Sequence, residues 1–199
     1  MTSWRARMRP VGKGDKAAVI GAGRSGMAAL KLLCRLGAEP RLLERDEKNI
    51  SVEDRTFVER NKVQLICGEH APQHFAGLDF LVLSPGVPVA KIVPLLPDSP
   101  PERPELLAET ELAWRQLQGE PVLAVSGTSG KTTTASLAAA MLRRQGLSVF
   151  LGGNIGTPLS EYVLDGRQAD VLVLEISSFQ LQTCSSLHPR VSEIGRAHV

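Results

Sequence analysis

The stretch 122–134 constrains this chain more than any other part, because it joins an apolar run, a glycine-bearing loop and a helical pattern. The apolar run 122–125 breaks at Gly127, the loop ends at Gly130, and the helical pattern covers 131–145. A loop of this kind between a strand and a helix presents backbone N–H groups and a helix N-terminus to a phosphate. The sequence therefore predicts a binding site for a nucleoside triphosphate.

The side chains of this loop fit the same ligand. Lys131 places a positive charge at the β- and γ-phosphates, and the Thr132 hydroxyl supplies a hard oxygen ligand for Mg²⁺. The loop is shorter than the common phosphate-binding pattern, since Val125 stands where that pattern has its first glycine. A plain glycine turn would explain the two glycines but not the Lys-Thr pair at the start of the helix. We predict that ATP is bound by Gly127, Thr128, Ser129, Gly130, Lys131, Thr132 and Thr133.

A carboxylate completes the predicted nucleotide site. Glu175 closes the apolar run 171–175, one predicted helix after the loop. At the carboxyl end of a parallel strand, it is placed to reach a metal ion at the nucleotide. The alternative is a strand-end acid that pairs with a neighbouring base. We predict Lys131 and Glu175 as catalytic residues, and Thr132 and Glu175 as ligands of Mg²⁺.

Short apolar runs alternate with helical stretches along the chain, which is typical of an α/β fold with a parallel sheet covered by helices. Strands are predicted at 17–20, 40–44, 63–67, 80–83, 122–125, 148–151 and 171–175. Seven prolines within 85–104 predict a joint that is mostly loop, because proline is excluded from helix interiors and central strands. The stretch 105–118 predicts a helix. We therefore expect a flexible leader at 1–15, a first unit at 16–118 and a second unit at 119–192.

The first unit opens with a second glycine-rich turn, GxGxxG at 21–26, between a predicted strand and a predicted helix. Glu44 ends the next strand 18 residues after the last of these glycines, near where a dinucleotide-binding fold places a ribose-binding carboxylate. NAD binding is one interpretation. A tight turn that binds nothing is another, and the neighbours Arg45 and Asp46 allow Glu44 to be an ordinary exposed residue.

Composition argues against several classes of partner. A net charge of +2 and few aromatic residues give no signal for nucleic-acid binding. No apolar run reaches the roughly 18 residues that span a bilayer, and the leader has no secretory signal. The cysteines are far apart and form no CxxC pair, so we predict Cys34 and Cys67 as buried free thiols. This predicts a cytoplasmic protein without membrane insertion or structural zinc.

Four blocks of sequence resemble the Mur ligase family of ATP-dependent amide-bond-forming enzymes. They are GAGRSG at 21–26, SPGVP at 84–88, GTSGKTT at 127–133, and GGNIG at 152–156 with LEISSFQL at 174–181. The last block favours the branch that joins D-glutamate to UDP-N-acetylmuramoyl-L-alanine in peptidoglycan synthesis. Ser129 departs from the asparagine usual in the family, so its role in the phosphate contact has no firm assignment.

The resemblance implies a Rossmann-like N-terminal domain that grips the UDP end of the substrate rather than NAD, followed by a truncated P-loop ATPase-type central domain. It implies that the γ-phosphoryl of ATP passes to the substrate carboxylate and that the D-glutamate amine attacks the resulting acyl phosphate. It also implies a monomer with ATP and Mg²⁺. The implied substrate-binding residues are Gly23, Arg24, Ser25, Glu44, Ser84, Asn154, Ser177 and Gln180.

The end of the chain departs from the family pattern. The family's central domain continues well past the SSFQL block, so we expect this chain to be incomplete and unable to turn over. The last residues, 193–199, back-translate to a common sequencing adapter, and we expect a non-native tail in which Arg196 and His198 have no function. A coding DNA that differs from the adapter would contradict this.

Two other functions are compatible with parts of the sequence. One is a two-site regulatory module whose first unit senses NAD and whose second unit binds ATP. The other is a Mur-type ligase that adds a different amino acid, such as a diamino acid, although the SSFQL block weighs against it.

Overall fold

The computed structural model describes residues 9–166 and 168–195. The described residues contain nine strands: β1 Lys16–Ile20, β2 Glu39–Glu44, β3 Gln64–Cys67, β4 Phe80–Leu83, β5 Glu105–Ala108, β6 Val122–Ser126, β7 Val149–Gly153, β8 Val171–Glu175 and β9 Val191–Ile194. They form one sheet in the order β3-β2-β1-β4-β5 and another in the order β7-β8-β6-β9. Every pair of neighbouring strands in the described residues is parallel. The predicted α/β class is confirmed.

Seven helices connect the strands within the described residues: α1 Arg24–Arg35, α2 Val52–Arg60, α3 Val89–Ile92, α4 Glu109–Trp114, α5 Lys131–Arg144, α6 Leu159–Asp165 and α7 Ser178–Leu181. Short 3₁₀ helices occur at Glu47–Asn49, Pro72–His74 and Val93–Leu95. None of the helices in this part of the chain has the length and apolar character needed to cross a membrane.

One hydrophobic cluster is shared by the two sheets. Helices α1, α4 and α6 contact one another, so the first and second units meet along their helical layers. A single cluster of buried apolar side chains includes Leu33 and Leu112 from the first unit and Leu159 and Leu172 from the second. Each such side chain contributes roughly 1.5–3 kcal/mol on burial, so this shared layer holds the sheets together.

The prediction of a helix over 105–118 was wrong in its first part. Residues Glu105–Ala108 form β5, which pairs in parallel with β4, and the helix covers Glu109–Trp114. Pro104 favours an extended residue before it and marks the boundary. Leu106 and Leu107 then pack into two different hydrophobic clusters, as side chains on opposite faces of a strand do.

Other predictions on the first unit differ in detail. Cys67 is exposed on the edge strand β3 and Cys34 is half-buried, so the prediction of a buried thiol at Cys67 was wrong. Within the predicted leader, Val11 is buried and Arg9 forms an ion pair with Asp15, so these residues pack on the first sheet. The proline-rich joint is mostly loop with short helical pieces, as predicted.

The predicted tail begins inside a strand. Strand β9 pairs with β6 and runs to Ile194, although all of its residues are exposed. Arg196 and His198 lie outside the described residues. A non-native origin of 193–199 stays a prediction, which the coding DNA tests.

Candidate functional site

The predicted phosphate loop connects β6 to α5. Gly130 takes a left-handed conformation, with φ of 79°, and directly precedes the helix that begins at Lys131. The N-cap residue, Gly130, has no side chain to cap this helix, and the first N–H groups of the helix face the loop with the positive end of the helix dipole. Thr128 and Ser129 are exposed in the loop, and Thr133 is exposed on the first helical turn. This geometry suits a bound phosphate.

Lys131 folds back over the same loop. Its Nζ donates a hydrogen bond to the carbonyl oxygen of Gly127 at 2.7 Å. The ammonium group therefore lies directly above the loop that the helix N-terminus faces. A phosphate bound in the loop would offer this cation a charged acceptor in place of a neutral carbonyl, and charge-assisted hydrogen bonds are the stronger ones.

Glu175 lies beside the phosphate loop. The parallel register places it opposite Val125 of β6 and Gly153 of β7, so the carboxyl ends of three strands meet there. Its Oε2 accepts a hydrogen bond from the Thr132 hydroxyl at 2.8 Å, and its Oε1 accepts one from Asn154 Nδ2 at 3.1 Å. The residue is only 2% exposed. The two carboxylate oxygens are thus fixed by one residue from the first turn of α5 and one from the loop after β7.

The backbone at the end of β7 lies close to the backbone of Glu175. The Asn154 N–H donates to the backbone oxygen of Glu175 at 2.8 Å. Gly153 has φ of 105°, and a Cβ added there would lie 2.3 Å from that same oxygen. A side chain is therefore excluded at Gly153, because it would push β7 away from Glu175.

The oxygen groups at this edge fit Mg²⁺. A carboxylate and a hydroxyl are hard ligands, and Mg²⁺ in nucleotide sites usually takes one or two protein oxygens and completes its shell with water and phosphate oxygens. Among the described residues, no group of three or more His, Cys, Asp or Glu could hold a metal ion by itself. Glu175 and Thr132 supply two such protein oxygens within hydrogen-bond distance of each other.

The glycine-rich turn of the first unit is held by Glu44. Its carboxylate accepts hydrogen bonds from the Ala22 N–H at 2.7 Å, Asn49 Nδ2 at 3.0 Å and the Asp46 N–H at 3.2 Å. Burial alone would raise the pKa of Glu44, but these hydrogen bonds, that of Ala22 foremost, leave the pKa below its usual value. Glu44 is buried and ionised, so the interpretation as an ordinary exposed residue was wrong.

Ser84, in the loop that follows β4, is bound to the glycine-rich turn, because its hydroxyl donates to the carbonyl oxygen of Gly21 at 3.2 Å. The two loops and Glu44 surround an open cavity of about 970 Å³. Asn154 of the second unit also lines it, so the cavity reaches from the glycine-rich turn to the partner of Glu175. Of the predicted substrate-binding residues, this cavity is lined by Gly23, Arg24, Ser25, Glu44, Ser84 and Asn154.

Ser177 and Gln180 lie apart from this cavity lining. They form a capping box at the start of α7, in which Ser177 Oγ accepts from the Gln180 N–H at 3.2 Å and Gln180 Oε1 accepts from the Ser177 N–H at 2.9 Å. Gln180 is 2% exposed. A role for these residues in substrate binding stays a prediction.

Matches to two family models cover most of the chain. The model for "Mur ligase MurD-like, N-terminal domain" matches residues 15–94, and the model for "Mur ligase middle domain" matches residues 125–198. The chain belongs to the Mur ligase family. The first matched range contains β1 to β4, and the second contains both the phosphate loop and Glu175.

Related Mur ligases are similar over nearly the whole chain. A UDP-N-acetylmuramoylalanine–D-glutamate ligase of Nitratidesulfovibrio vulgaris is 58% identical over 96% of this chain and 45% of its own length. One from Desulfovibrio desulfuricans is 58% identical over 94% of this chain and 43% of its own length. A solved pseudomurein peptide ligase type C from Methanothermus fervidus aligns with a TM-score of 0.45 and 22% identity, over 83% of this chain and 33% of its own. The chain thus spans less than half the length of these relatives.

The sequence did not predict the buried polar contacts that α4 makes with the second unit of this Mur ligase. Glu109, Thr110 and Glu111 of α4 are all at most 1% exposed. Glu109 accepts from the Ser160 N–H at 2.6 Å, and Glu111 accepts from the Ser186 hydroxyl at 2.6 Å. Burial raises the pKa of Glu109 to about 7, although the hydrogen bond from Ser160 opposes the shift. The available signal was a polar triplet at 109–111 between the apolar runs at 106–108 and 112–113.

Basic residues at the cavity were also missed. Arg45, His70 and Lys91 line it beside the predicted residues. Arg24 spans the two units, since its Nε and Nη2 donate to Glu161 of α6 at 3.1 and 2.9 Å. These side chains are distant from one another in sequence, so no local pattern indicated that they share a cavity.

Proposed function

We propose that this chain carries the substrate and ATP sites of an ATP-dependent carboxylate–amine ligase that joins D-glutamate to UDP-N-acetylmuramoyl-L-alanine. The observation that carries the proposal is the continuity of the two sites: Asn154 lines the cavity of the first unit and hydrogen-bonds the Glu175 carboxylate beside the phosphate loop. A substrate held in the cavity can therefore present one end to a nucleotide in the loop. The close relatives carry the name of this ligase.

In this proposal the UDP end of the substrate lies against the glycine-rich turn. The cavity there offers backbone N–H groups, the hydroxyls of Ser25 and Ser84, and the cations Arg24, Arg45 and Lys91, which suit a diphosphate. NAD is not favoured, because Glu44 uses its oxygens on Ala22, Asp46 and Asn49 rather than keeping them for a ribose.

The second unit positions ATP and its metal. The loop 127–130 and Lys131 bind the phosphates, while Glu175 and Thr132 hold Mg²⁺. Bound Mg-ATP supplies the phosphoryl group that activates the substrate carboxylate and offsets the negative charge gathered there. Asn154 hydrogen-bonds the Glu175 carboxylate and lines the cavity, so it would lie where the substrate carboxylate meets ATP. We assign the protein to the cytoplasm, where the nucleotide substrates are made, and expect a monomer.

Calorimetry on the purified chain tests the two sites. We expect one site for Mg-ATP and a separate site for UDP-N-acetylmuramoyl-L-alanine, with no heat from NAD. Lys131→Met should abolish only the ATP signal, and Glu44→Ala should weaken only the UDP-substrate signal. A folded chain that binds neither ligand, or that binds NAD, contradicts the proposal.

The acceptor amine needs a different experiment. In a full-length enzyme that includes this chain, D-glutamate and a diamino acid are offered as competing amines, and product masses are measured. We expect D-glutamate to be incorporated; preferential use of the diamino acid would favour the other Mur-type ligase. The prediction that the 199-residue chain does not turn over is checked by the same assay on that chain.

A further inference from the structure

One threonine of the first unit contacts the turn that follows Glu175 in the second unit. Thr110 lies in α4 and is completely buried. Its Oγ1 accepts a hydrogen bond from Gln180 Nε2 at 3.0 Å, and its hydroxyl faces Glu109 Oε2 at 3.5 Å, the limit of hydrogen-bond distance. This contact therefore joins α4 to α7 across the boundary between the two sheets.

The Thr110 contact anchors the amide nitrogen of Gln180. The amide oxygen of Gln180 accepts from the Ser177 N–H at 2.9 Å and from the Ser177 hydroxyl at 3.1 Å. An amide donates only from its nitrogen and accepts only at its oxygen. The backbone N–H of Ser177 can only donate, so the amide oxygen faces Ser177 and the capping box closes, while Thr110 Oγ1 holds the amide nitrogen on the other side.

The capping box in turn fixes the segment that carries Glu175. Ser177 follows Glu175 by two positions, and between them the Ile176 N–H donates to the Val125 oxygen at 2.9 Å. Ile176 is itself buried. The backbone from Glu175 to Ser177 is therefore held by β6 on one side and by the capping box on the other. Any loosening of the box therefore frees the Ser177 end of this segment.

We propose that Thr110 is a positioning residue for the Mg²⁺ carboxylate Glu175. Its hydroxyl fixes the amide of Gln180, the amide fixes the turn at Ser177, and the turn fixes the direction of Glu175. The first unit thus contributes to the metal end of the nucleotide site without touching the ligand. The inference rests on the proposed function, since it concerns the same Mg-ATP site.

The first experiment compares Thr110→Val with Thr110→Ser. Valine keeps the shape but leaves the buried Gln180 Nε2 without an acceptor, whereas serine keeps the hydroxyl. The readout is the Mg²⁺ concentration at half-maximal ATP binding, measured by calorimetry. We expect the valine variant to need about five- to tenfold more Mg²⁺, as for other residues that orient metal ligands, and the serine variant to match wild type. Thr110→Ala removes the hydroxyl without added bulk and should behave like valine.

Amide hydrogen exchange gives a second readout that needs no ligand. Exchange at the Ser177 amide should accelerate in Thr110→Val and stay slow in Thr110→Ser. The matched control is Ser186→Ala. It removes a hydroxyl that donates to Glu111 of the same helix α4, but leaves the turn after Glu175 intact. We expect this control to leave both readouts unchanged.

The outcomes separate the inference from the proposed function. An unchanged Mg²⁺ requirement in Thr110→Val overturns the inference, and so does an equal change in Ser186→Ala, which would indicate general loosening. Failure of the wild-type chain to bind Mg-ATP overturns the proposed function instead. In that case, unchanged exchange at Ser177 in Thr110→Val would also overturn the structural part of the inference.

Discussion

The Thr132 hydroxyl lies 2.8 Å from Glu175 Oε2, although 43 positions separate the two residues in the sequence. The contact joins the first turn of α5 to the end of β8 and exists because β6 and β8 are neighbours in a parallel sheet. Both groups are oxygen ligands of the kind that Mg²⁺ prefers. The pair therefore defines where the metal end of a nucleotide would lie.

Glu175→Gln should remove most of the Mg²⁺ dependence of ATP binding. The amide keeps the size of the side chain but lacks the negative charge that binds the metal. We expect the dissociation constant of Mg-ATP to rise at least about tenfold, equivalent to ~1.4 kcal/mol. Calorimetry with and without Mg²⁺ measures this, with Thr132→Ser as a control that keeps the hydroxyl. Equal loss of Mg-ATP and metal-free ATP binding would contradict a metal role.

Glu109→Gln should change how stability depends on pH. The pKa of Glu109 is about 7 in the folded protein and 4.5 as its ordinary value, so its contribution to stability is present below pH 4.5 and is lost as pH rises through 7. The neighbouring Glu161 adds to this shift. We expect the free energy of unfolding of wild type, relative to the glutamine variant, to fall by up to about 3 kcal/mol between pH 4.5 and pH 8.5.

Urea unfolding at these two pH values checks the effect of Glu109. The control is Glu59→Gln, at an exposed position of α2, which should give the same difference from wild type at both pH values. A constant difference for Glu109→Gln as well would mean that the buried carboxyl does not titrate in this range.

Arg24→Ala should weaken binding of the UDP substrate. Arg24 lines the cavity, and its guanidinium pairs with Glu161, so the two charges partly cancel at the mouth of the site. We expect roughly a three- to tenfold rise in the dissociation constant at low salt and a smaller one at high salt. Glu161→Gln should leave binding unchanged or tighten it. Both variants should unfold within about 1 kcal/mol of wild type, since the pair is exposed.

Calorimetry at two salt concentrations distinguishes the charge of Arg24 from its bridge to Glu161. Equal losses of affinity in Arg24→Ala and Glu161→Gln would mean that the bridge between the units, rather than the cation, supports binding.

Gly153→Ala should disrupt the second sheet at the nucleotide site. The added Cβ would lie 2.3 Å from the backbone oxygen of Glu175, and the backbone of Gly153 is left-handed. We therefore expect destabilisation by about 3 kcal/mol or more and loss of Mg-ATP binding. Gly146→Ala is the matched control, because φ there is 85° but no atom lies within 4 Å of the added Cβ. It should cost only about 1 kcal/mol in thermal or urea unfolding. Similar costs for both variants would contradict the steric explanation.

Local patterns were sufficient for the elements whose ends coincide with the end of an apolar run or with a glycine turn. Strands β4 and β8 have the predicted bounds, and α5 begins at Lys131 as predicted, because an apolar run or a glycine turn marks each boundary. Strand β5 could not be predicted in the same way. Its residues resemble the start of the helix that follows, and they are extended because they pair with β4, far back in the chain.

The same difference holds for the candidate site. Glycine, lysine and threonine at 127–132 form one local pattern, and the structure places them as that pattern indicates. Glu44 and Thr110 were ambiguous or missed because their partners, Ala22 and Gln180, lie 22 and 70 positions away. The type of a residue at a strand end or in a short helix does not indicate which distant residue it will contact.

The helical layer common to both sheets has a consequence for dissecting this molecule. Separating the halves near Glu120 would leave Leu33 and Leu112 in one piece and Leu159 and Leu172 in the other. Each piece would then expose apolar side chains that are buried in the whole chain. Neither piece expressed alone should behave as an autonomous folding unit. A chimaera that exchanges one half for that of a relative would have to transplant matching surfaces of α1, α4 and α6 together.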